Sequence, residues 1–278
     1  TVGITSGRNV AITDEDAIIL GASTVSGTYA VTATADGDIT DSGVLAITGT
    51  STLTAADEQS IILDQSSTFG TVAFVASSGN LKNVTINDSN AFDLSALTLV
   101  QVSSAGGNLT VTAGGAITES GDLSIAGVTT LAAGSGNNIT LNRAGNNFQA
   151  AVKITSGANV TLVDAGAIDL GASTVSGTYA VTATSGGGIT DSGVLAITNG
   201  ATFTVAGGQS IILDQSSTFS STVTFTPSSG TIAAVTINDS NAFDLKALTT
   251  TGNLTVTAGG AVTDSGTLVV PGTATISA

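Results

Sequence analysis

The stretch Asn253–Gly266 reads NLTVTAGGAVTDSG and carries the pattern that recurs along the whole chain. Leu254 and Val256 alternate with threonines, a period of two that is typical of a strand with one buried face. Two glycines follow and permit a sharp bend. A second short strand ends at Asp-Ser-Gly, a turn sequence in which the carboxylate can accept a backbone N–H and the glycine can adopt a positive φ. The pattern predicts strand, turn, strand, turn.

A second marker, built on NVTI and AFDL, sets the length of the repeat. Its copies begin at residues 9, 83, 159 and 234, which gives a repeat of about 75 residues. We expect a single β-solenoid segment over residues 1–278, with residues 1–8 ending a preceding repeat. The repeats predicted from this spacing are about 9–82, 83–158, 159–233 and a partial copy at 234–278.

The composition excludes several classes of protein. The 278 residues include 35 glycines and no Cys, His, Met or Trp, so disulfides and sites built on thiolate or imidazole metal ligands are ruled out. A net charge of −15 should repel nucleic acid and anionic membranes. No apolar run approaches the roughly 18 residues of a membrane span. The chain has no signal peptide and opens with Thr1, so it is interpreted as a processed or internal piece of a longer protein.

Each repeat contains three similar passages of about 25 residues, and each passage holds two or three short strands. One passage cannot bury its apolar side alone, but stacked copies can. The prediction is therefore an all-β, right-handed parallel β-helix of about eleven coils, roughly 25 residues per coil, with coils about 4.8 Å apart. Two competing architectures fit less well. Tandem β-sandwiches also use short, regularly spaced strands, but domains of about 75 residues would be small and would lack the usual aromatic core. A propeller blade needs about 40–50 residues, which neither the 25-residue passage nor the 75-residue repeat matches.

These repeats resemble those of large filamentous-haemagglutinin-like exoproteins, the secreted bacterial adhesins of the two-partner type. The likeness lies in stretches such as NLTVTAGGAITESG at 108–121 and NITLNRAGNNFQAAVKIT at 138–155, and it covers essentially the whole chain. The resemblance implies a right-handed β-helical shaft, export across an outer membrane and an extracellular or cell-surface location. The secretion domain of that family is not in this sequence, and none of its adhesive determinants maps onto these residues.

Recurring acids are the main candidates for chemistry. Paired carboxylates on a β-helix can act on glycosidic bonds, but an active site is a single constellation and these acids recur in every repeat. We interpret them as turn and solubility residues. They form two rows: Asp41, Glu119, Asp191 and Asp264, and Asp14, Asp88, Asp164 and Asp239.

Other sequence features support only weaker hypotheses. Acid-rich turns can bind calcium, but Asp36 and Asp38 flank Gly37 in one copy alone, so we expect no cofactor. Thr32 and Thr34 belong to threonine runs that suit an outward, ice-binding array and equally suit ordinary strands. The Asn-X-Thr triplets at Asn83, Asn108 and Asn253 are interpreted as turn and ladder residues, with glycosylation as the alternative. The basic residues, too scattered to serve as catalytic bases, are Arg8, Lys82, Arg143, Lys153 and Lys246.

The sequence thus predicts a non-enzymatic structural shaft of an extracellular bacterial fibre or adhesin. We expect it to associate with further coils, either of its own chain or of other copies stacked head to tail, and to meet host or matrix glycans. The alternatives are a glycan-, calcium- or ice-binding solenoid module, or a polysaccharide-active enzyme on the same fold. Such enzymes use long loops to form a cleft, whereas the repeat lengths here vary by only a residue or two.

Overall fold

The structure, a computed structural model, describes residues 1–102 and 104–278, which form two compact units, Thr1–Ala133 and Gly134–Ala278. No described residue is helical, and both units consist of short strands joined by tight turns. The strands of the first unit are β1 Val10–Asp14, β2 Ile18–Leu20, β3 Ser23–Val25, β4 Tyr29–Ala33, β5 Ile39–Asp41, β6 Leu45–Ala55, β7 Ile61–Ala76, β8 Val84–Asp88, β9 Phe92–Leu94, β10 Leu97–Leu99, β11 Gln101–Val102, β12 Ala105–Gly106, β13 Leu109–Ala113, β14 Ile117–Glu119, β15 Leu123–Ile125 and β16 Thr129–Ala132.

The second unit is built in the same way. Its strands are β17 Ile139–Leu141, β18 Asn147–Phe148, β19 Val152–Ser156, β20 Val160–Asp164, β21 Ile168–Leu170, β22 Ser173–Val175, β23 Tyr179–Ala183, β24 Ile189–Asp191, β25 Leu195–Ile197, β26 Ala201–Val205, β27 Ile211–Phe219, β28 Val223–Pro227, β29 Val235–Asp239, β30 Phe243–Leu245, β31 Leu248–Thr249, β32 Leu254–Ala258, β33 Val262–Asp264, β34 Leu268–Val269 and β35 Ala274–Ser277.

Strands pair in parallel with the strand one coil further along the chain. Tyr29 pairs with Val10 and with Ser51, and Tyr179 pairs with Val160 and with Ala201. Three strands make one coil, and coils follow one another at about 22 residues. The prediction of an all-β parallel solenoid is confirmed, with coils slightly shorter than the expected 25 residues. The short hairpin of β11 and β12 is antiparallel.

The core of each unit is a set of inward-facing residues stacked on their equivalents. In the second unit Val181, Phe203 and Phe225 occupy one such stack, because the registers of β23, β26 and β28 align them. The ring of Phe203 lies 6.2 Å from that of Phe225 and 6.1 Å from that of Phe219, between ring centres. Like residues therefore pack on like residues from coil to coil, as the repeat predicts.

A 75-residue repeat is not a whole number of coils. In the first unit β1 and β8 begin equivalent passages, yet β1 pairs with β4, whereas β8 pairs with the start of β7 on the face that also holds β2 and β5. In the second unit β20 pairs with β23, whereas the equivalent β29 pairs with β27 on the face of β21 and β24. The repeats 9–82 and 159–233 therefore each span three coils and one further strand, and within each unit equivalent residues move to another face.

Candidate functional site

Three members of the Asp239 row lie buried where strands end, and the fourth, Asp14, is half-buried. Asp88, Asp164 and Asp239 are each at most 1% exposed. Asp239 Oδ1 accepts the N–H of Asn241 at 3.0 Å, within its own turn, and the N–H of Phe219 at 3.2 Å, on the preceding coil. In the same way, Asp88 Oδ1 accepts the N–H of Asn90 at 3.0 Å and that of Phe69 at 3.4 Å. Asp164 accepts the N–H of Gly166 through Oδ1 at 2.6 Å and that of Phe148 through Oδ2 at 2.7 Å.

These carboxylates take the place of a missing strand partner. The register between β27 and β29 shifts between Leu213 and Ser217, so the backbone of Phe219 lies beyond the ladder. A buried N–H without an acceptor costs about 1–3 kcal/mol, and the Asp239 carboxylate supplies the acceptor. Burial raises the pKa of Asp88, Asp164 and Asp239. The turn interpretation is confirmed for these three carboxylates and extended, because each of them also joins two coils. Their interpretation as solubility residues is wrong, since Asp88, Asp164 and Asp239 are buried. Asp14 bonds within its own turn, where it accepts the Asp16 N–H at 3.2 Å.

The Asp191 row is less uniform. Oδ1 of Asp191 accepts the N–H of Asp214 at 2.9 Å on the following coil, and Oδ1 of Asp41 accepts that of Asp64 at 3.0 Å. The second oxygen of each, Oδ2, is buried and has no hydrogen-bond partner. Burial raises the pKa of both Asp41 and Asp191 to about 6, and the neighbouring negative charge of Asp64 or Asp214 adds to the effect. The two other members of the row are a half-buried Glu119 and an exposed Asp264.

The acids of the two rows do not converge. Equivalent acids of successive repeats occupy different faces within a unit, as Asp14 and Asp88 do on β1 and β8. Across residues 1–102 and 104–278 no group of three or more acidic side chains is arranged to hold a metal ion. Asp38 accepts the N–H of Ser60 at 2.7 Å through Oδ1 and so also serves the backbone.

Lys246 forms an ion pair on the surface. Lys246 Nζ lies 2.6 Å from Asp244 Oδ2 and donates a hydrogen bond to Ser265 Oγ at 2.9 Å. The hydrogen bond from Lys246 is the main reason that the pKa of Asp244 is lowered. Both side chains are more than a third exposed, so the pair contributes little to stability.

Asparagines form ladders between coils, as the sequence predicts. Asn83 Oδ1 accepts the N–H of Asn108 at 3.1 Å, and Asn108 Oδ1 in turn accepts that of Val128 at 2.8 Å. Asn253 bonds Thr273 in the same way at 3.0 Å. The asparagine side chains thereby continue the hydrogen-bonding between coils into the turns beside the strands.

Outward threonines form short columns. Thr13, Thr32 and Thr54 stand in register on neighbouring strands, and Val75 occupies the next position. Thr85, Thr110 and Thr130 form another column on a different face. These two runs of threonine are short because Val75 follows Thr54 and Ile62 precedes Thr85 in the register.

Two grooves, absent from the sequence predictions, interrupt the sheets. In the second unit β28 is an edge strand, because the short β31 of the next coil pairs with β34 and not with β28. The resulting groove has a volume of about 340 Å³ and is lined by Phe225, Pro227, Leu248 and neighbouring threonines. The first unit has an equivalent groove of about 280 Å³ between the end of β7 and β10, lined by Phe74, Leu81, Leu97, Asn80 and Thr98.

The grooves share a cause that is visible in the sequence only afterwards. Beside each groove, the edge strand is followed by a Ser-Ser-Gly turn. The glycine of this turn, Gly79 or Gly230, has a φ near +60°. The linker then places Leu81 beside Leu99 and Ile232 beside Thr250, which displaces the next short strand. The residues of this linker, which follow the Ser-Ser-Gly turn, are the feature of the sequence that indicates an interruption of the sheet.

The fold and its ladders define a repetitive parallel β-solenoid. A family model described as "Repeats of unknown function (DUF5649)" matches residues 7–76, 81–155, 157–226 and 232–278, nearly the whole chain. The chain belongs to this family of repeats. No curated protein matches it, and no solved structure does. Among the described residues there is no helix of the length and apolarity needed to cross a membrane.

Proposed function

We propose that the chain is a non-enzymatic structural shaft of an extracellular bacterial fibre or adhesin. The observation that carries the proposal is the use of the recurring side chains for coil-to-coil bonding. Asp239 and Asn253 each accept backbone N–H groups on a neighbouring coil, so the polar residues that recur in every repeat serve the stacking itself. Length then increases with the number of repeats, without new chemistry.

The surface supports a shaft better than a flat binding face. Threonine columns such as Thr13, Thr32 and Thr54 end after three coils. An ice-binding face needs a long regular array, and a calcium site needs six to eight converging oxygens. A polysaccharide-active site needs acids held together, whereas the equivalent acids of successive repeats move from face to face.

The cellular location rests on the resemblance of the repeats to filamentous-haemagglutinin-like exoproteins of the two-partner type. Secreted chains of that kind need no cysteine, and this one has none. Further coils, of the same chain or of another copy, are the expected neighbours along the axis.

Electron microscopy of the native material tests the proposal. We expect filaments on the surface of the producing cells that bind an antibody against this chain and show a strand-spacing repeat along their axis. A discrete cytoplasmic monomer would contradict the shaft. Turnover of a polysaccharide by the purified chain, lost on replacing a single aspartate, would instead establish the enzyme.

A further inference from the structure

The two equivalent grooves expose strand edges that lack a partner. In the second unit, Ser228 donates its N–H to Val205 O at 2.8 Å, and Ala201 donates to Thr222 O at 2.9 Å, so even-numbered residues here bond to the preceding coil. Successive residues of a strand direct their N–H and C=O groups to opposite sides. The N–H and C=O groups of Val223 and Phe225 therefore point away from the preceding coil, and Phe225 lines the groove.

The first unit repeats this arrangement. Ser77 donates to Ala55 O at 2.8 Å, which directs the N–H and C=O groups of Val72 and Phe74 away from the preceding coil, and Phe74 lines the other groove. On the adjacent face the same gap is closed differently, because the N–H of Phe69 is bonded to the Asp88 carboxylate. The chain thus caps one interrupted edge itself and leaves the other edge without a strand in both units.

We propose that each groove binds an extended peptide segment of a partner protein as an added strand. An unpaired edge supplies alternating N–H and C=O groups, which give main-chain affinity, and pockets along it select every second side chain. Phe225 and Leu248 give the groove an apolar floor, matched by Phe74 and Leu97 in the first unit.

The lining also defines the chemistry of the peptide. No charged residue lines either groove, while the chain as a whole carries a net charge of −15. The fitting segment therefore has apolar residues at alternate positions and is neutral or basic elsewhere, because an acidic segment would be repelled. It has no proline at the paired positions, since proline lacks the N–H that the edge carbonyls accept.

Binding of a synthetic peptide with the sequence Lys-Val-Thr-Val-Thr-Val-Lys to the purified chain tests this inference. The stoichiometry, measured by isothermal titration calorimetry, is expected to be two peptides per chain. Thr98→Arg and Thr249→Arg change exposed residues that line one groove each, and each variant is expected to bind one peptide. The double variant is expected to bind none.

Two controls separate groove binding from charge and from misfolding. Thr202→Arg adds the same charge on β26, a strand paired on both sides, and should retain two sites. A peptide with proline in place of each threonine should not bind. In the unmodified chain, saturation with peptide should slow the amide hydrogen exchange of Val72, Phe74, Val223 and Phe225, a readout that needs no variant.

Several outcomes would overturn the proposal. They are the absence of saturable peptide binding, equal binding by the double variant, and no change in exchange at the four edge amides. Saturable binding of a neutral oligosaccharide at the same grooves, without binding of the peptide, would make them glycan sites. Since the proposed shaft function does not depend on these grooves, failure here would leave that function standing.

Discussion

At the scale of single residues, burial of carboxylates gives this protein an unusual dependence on pH. The pKa of Asp41 and Asp191 is about 6 in the folded chain, against 3.8 as the ordinary value. The folded state therefore binds more protons than the unfolded state between these values. The stabilising effect is fully present below about pH 4 and is lost as the pH rises through about 6.

We expect the urea midpoint of the chain to be higher at pH 5 than at pH 8. The double variant Asp41→Asn, Asp191→Asn removes two of the buried carboxyls with a raised pKa and should weaken this dependence, while the raised pKa values of Asp88, Asp164 and Asp239 maintain part of it. Asp244→Asn is the matched control, because that exposed carboxyl has a lowered pKa and should leave the trend between pH 5 and 8 unchanged. A midpoint that rises steadily from pH 5 to 8 in the unmodified chain would contradict the assignment.

The Asp239 carboxylate provides a second residue-scale test. Asp239→Ala leaves the N–H groups of Phe219 and Asn241 without their acceptor, and should lower the free energy of unfolding by about 2 kcal/mol. Asp239→Asn keeps Oδ1 as an acceptor for both N–H groups and should be much closer to the unmodified chain. Urea denaturation of the two variants measures the difference, and equal losses would show that charge, not hydrogen bonding, matters.

At the scale of the elements, the glycine of the Asp-Ser-Gly turn has a role that differs from the sequence prediction. None of the four equivalent glycines has a positive φ. A Cβ on Gly193 would lie 2.2 Å from the backbone nitrogen of Ala172 on the preceding coil, so the glycine is required by close approach. The same approach to an alanine nitrogen occurs at Gly43, Gly121 and Gly266.

Gly193→Ala should therefore force neighbouring coils apart and destabilise the chain by about 1–3 kcal/mol. Gly136→Ala is the control, because a Cβ there meets no atom within 4 Å. That change should be neutral or slightly stabilising. Thermal unfolding followed by circular dichroism compares the two, and a Gly193 variant as stable as the control would show that the corner yields easily.

Period-two alternation was sufficient to predict the strands, since inward residues such as Leu254 and Val256 face a continuous core. The carboxylate-to-coil bonds were not predictable, because the partner of Asp239 lies 20 residues earlier and is set by a register shift. The grooves were not predictable for a related reason. Strand pairing depends on where a linker places the chain, and the linker after β28 places Ile232 beside Thr250.

At the scale of the whole molecule, the number of coils in one repeat decides how much length a duplicated repeat adds. Inserting a second copy of residues 83–233, two repeats, after residue 233 should add between six and seven coils and lengthen the particle by about 30 Å at the strand spacing. Small-angle scattering should then show a greater length with an unchanged cross-section. A particle that becomes wider instead would contradict growth by coil stacking.

The extra strand in each repeat also has a consequence for display. When one repeat is copied within the gene, the copied residues are rotated by a third of a turn about the axis. An epitope present once per repeat therefore follows a helical path around that axis. A contact made once per repeat therefore becomes available from more than one side of a unit without any change of sequence.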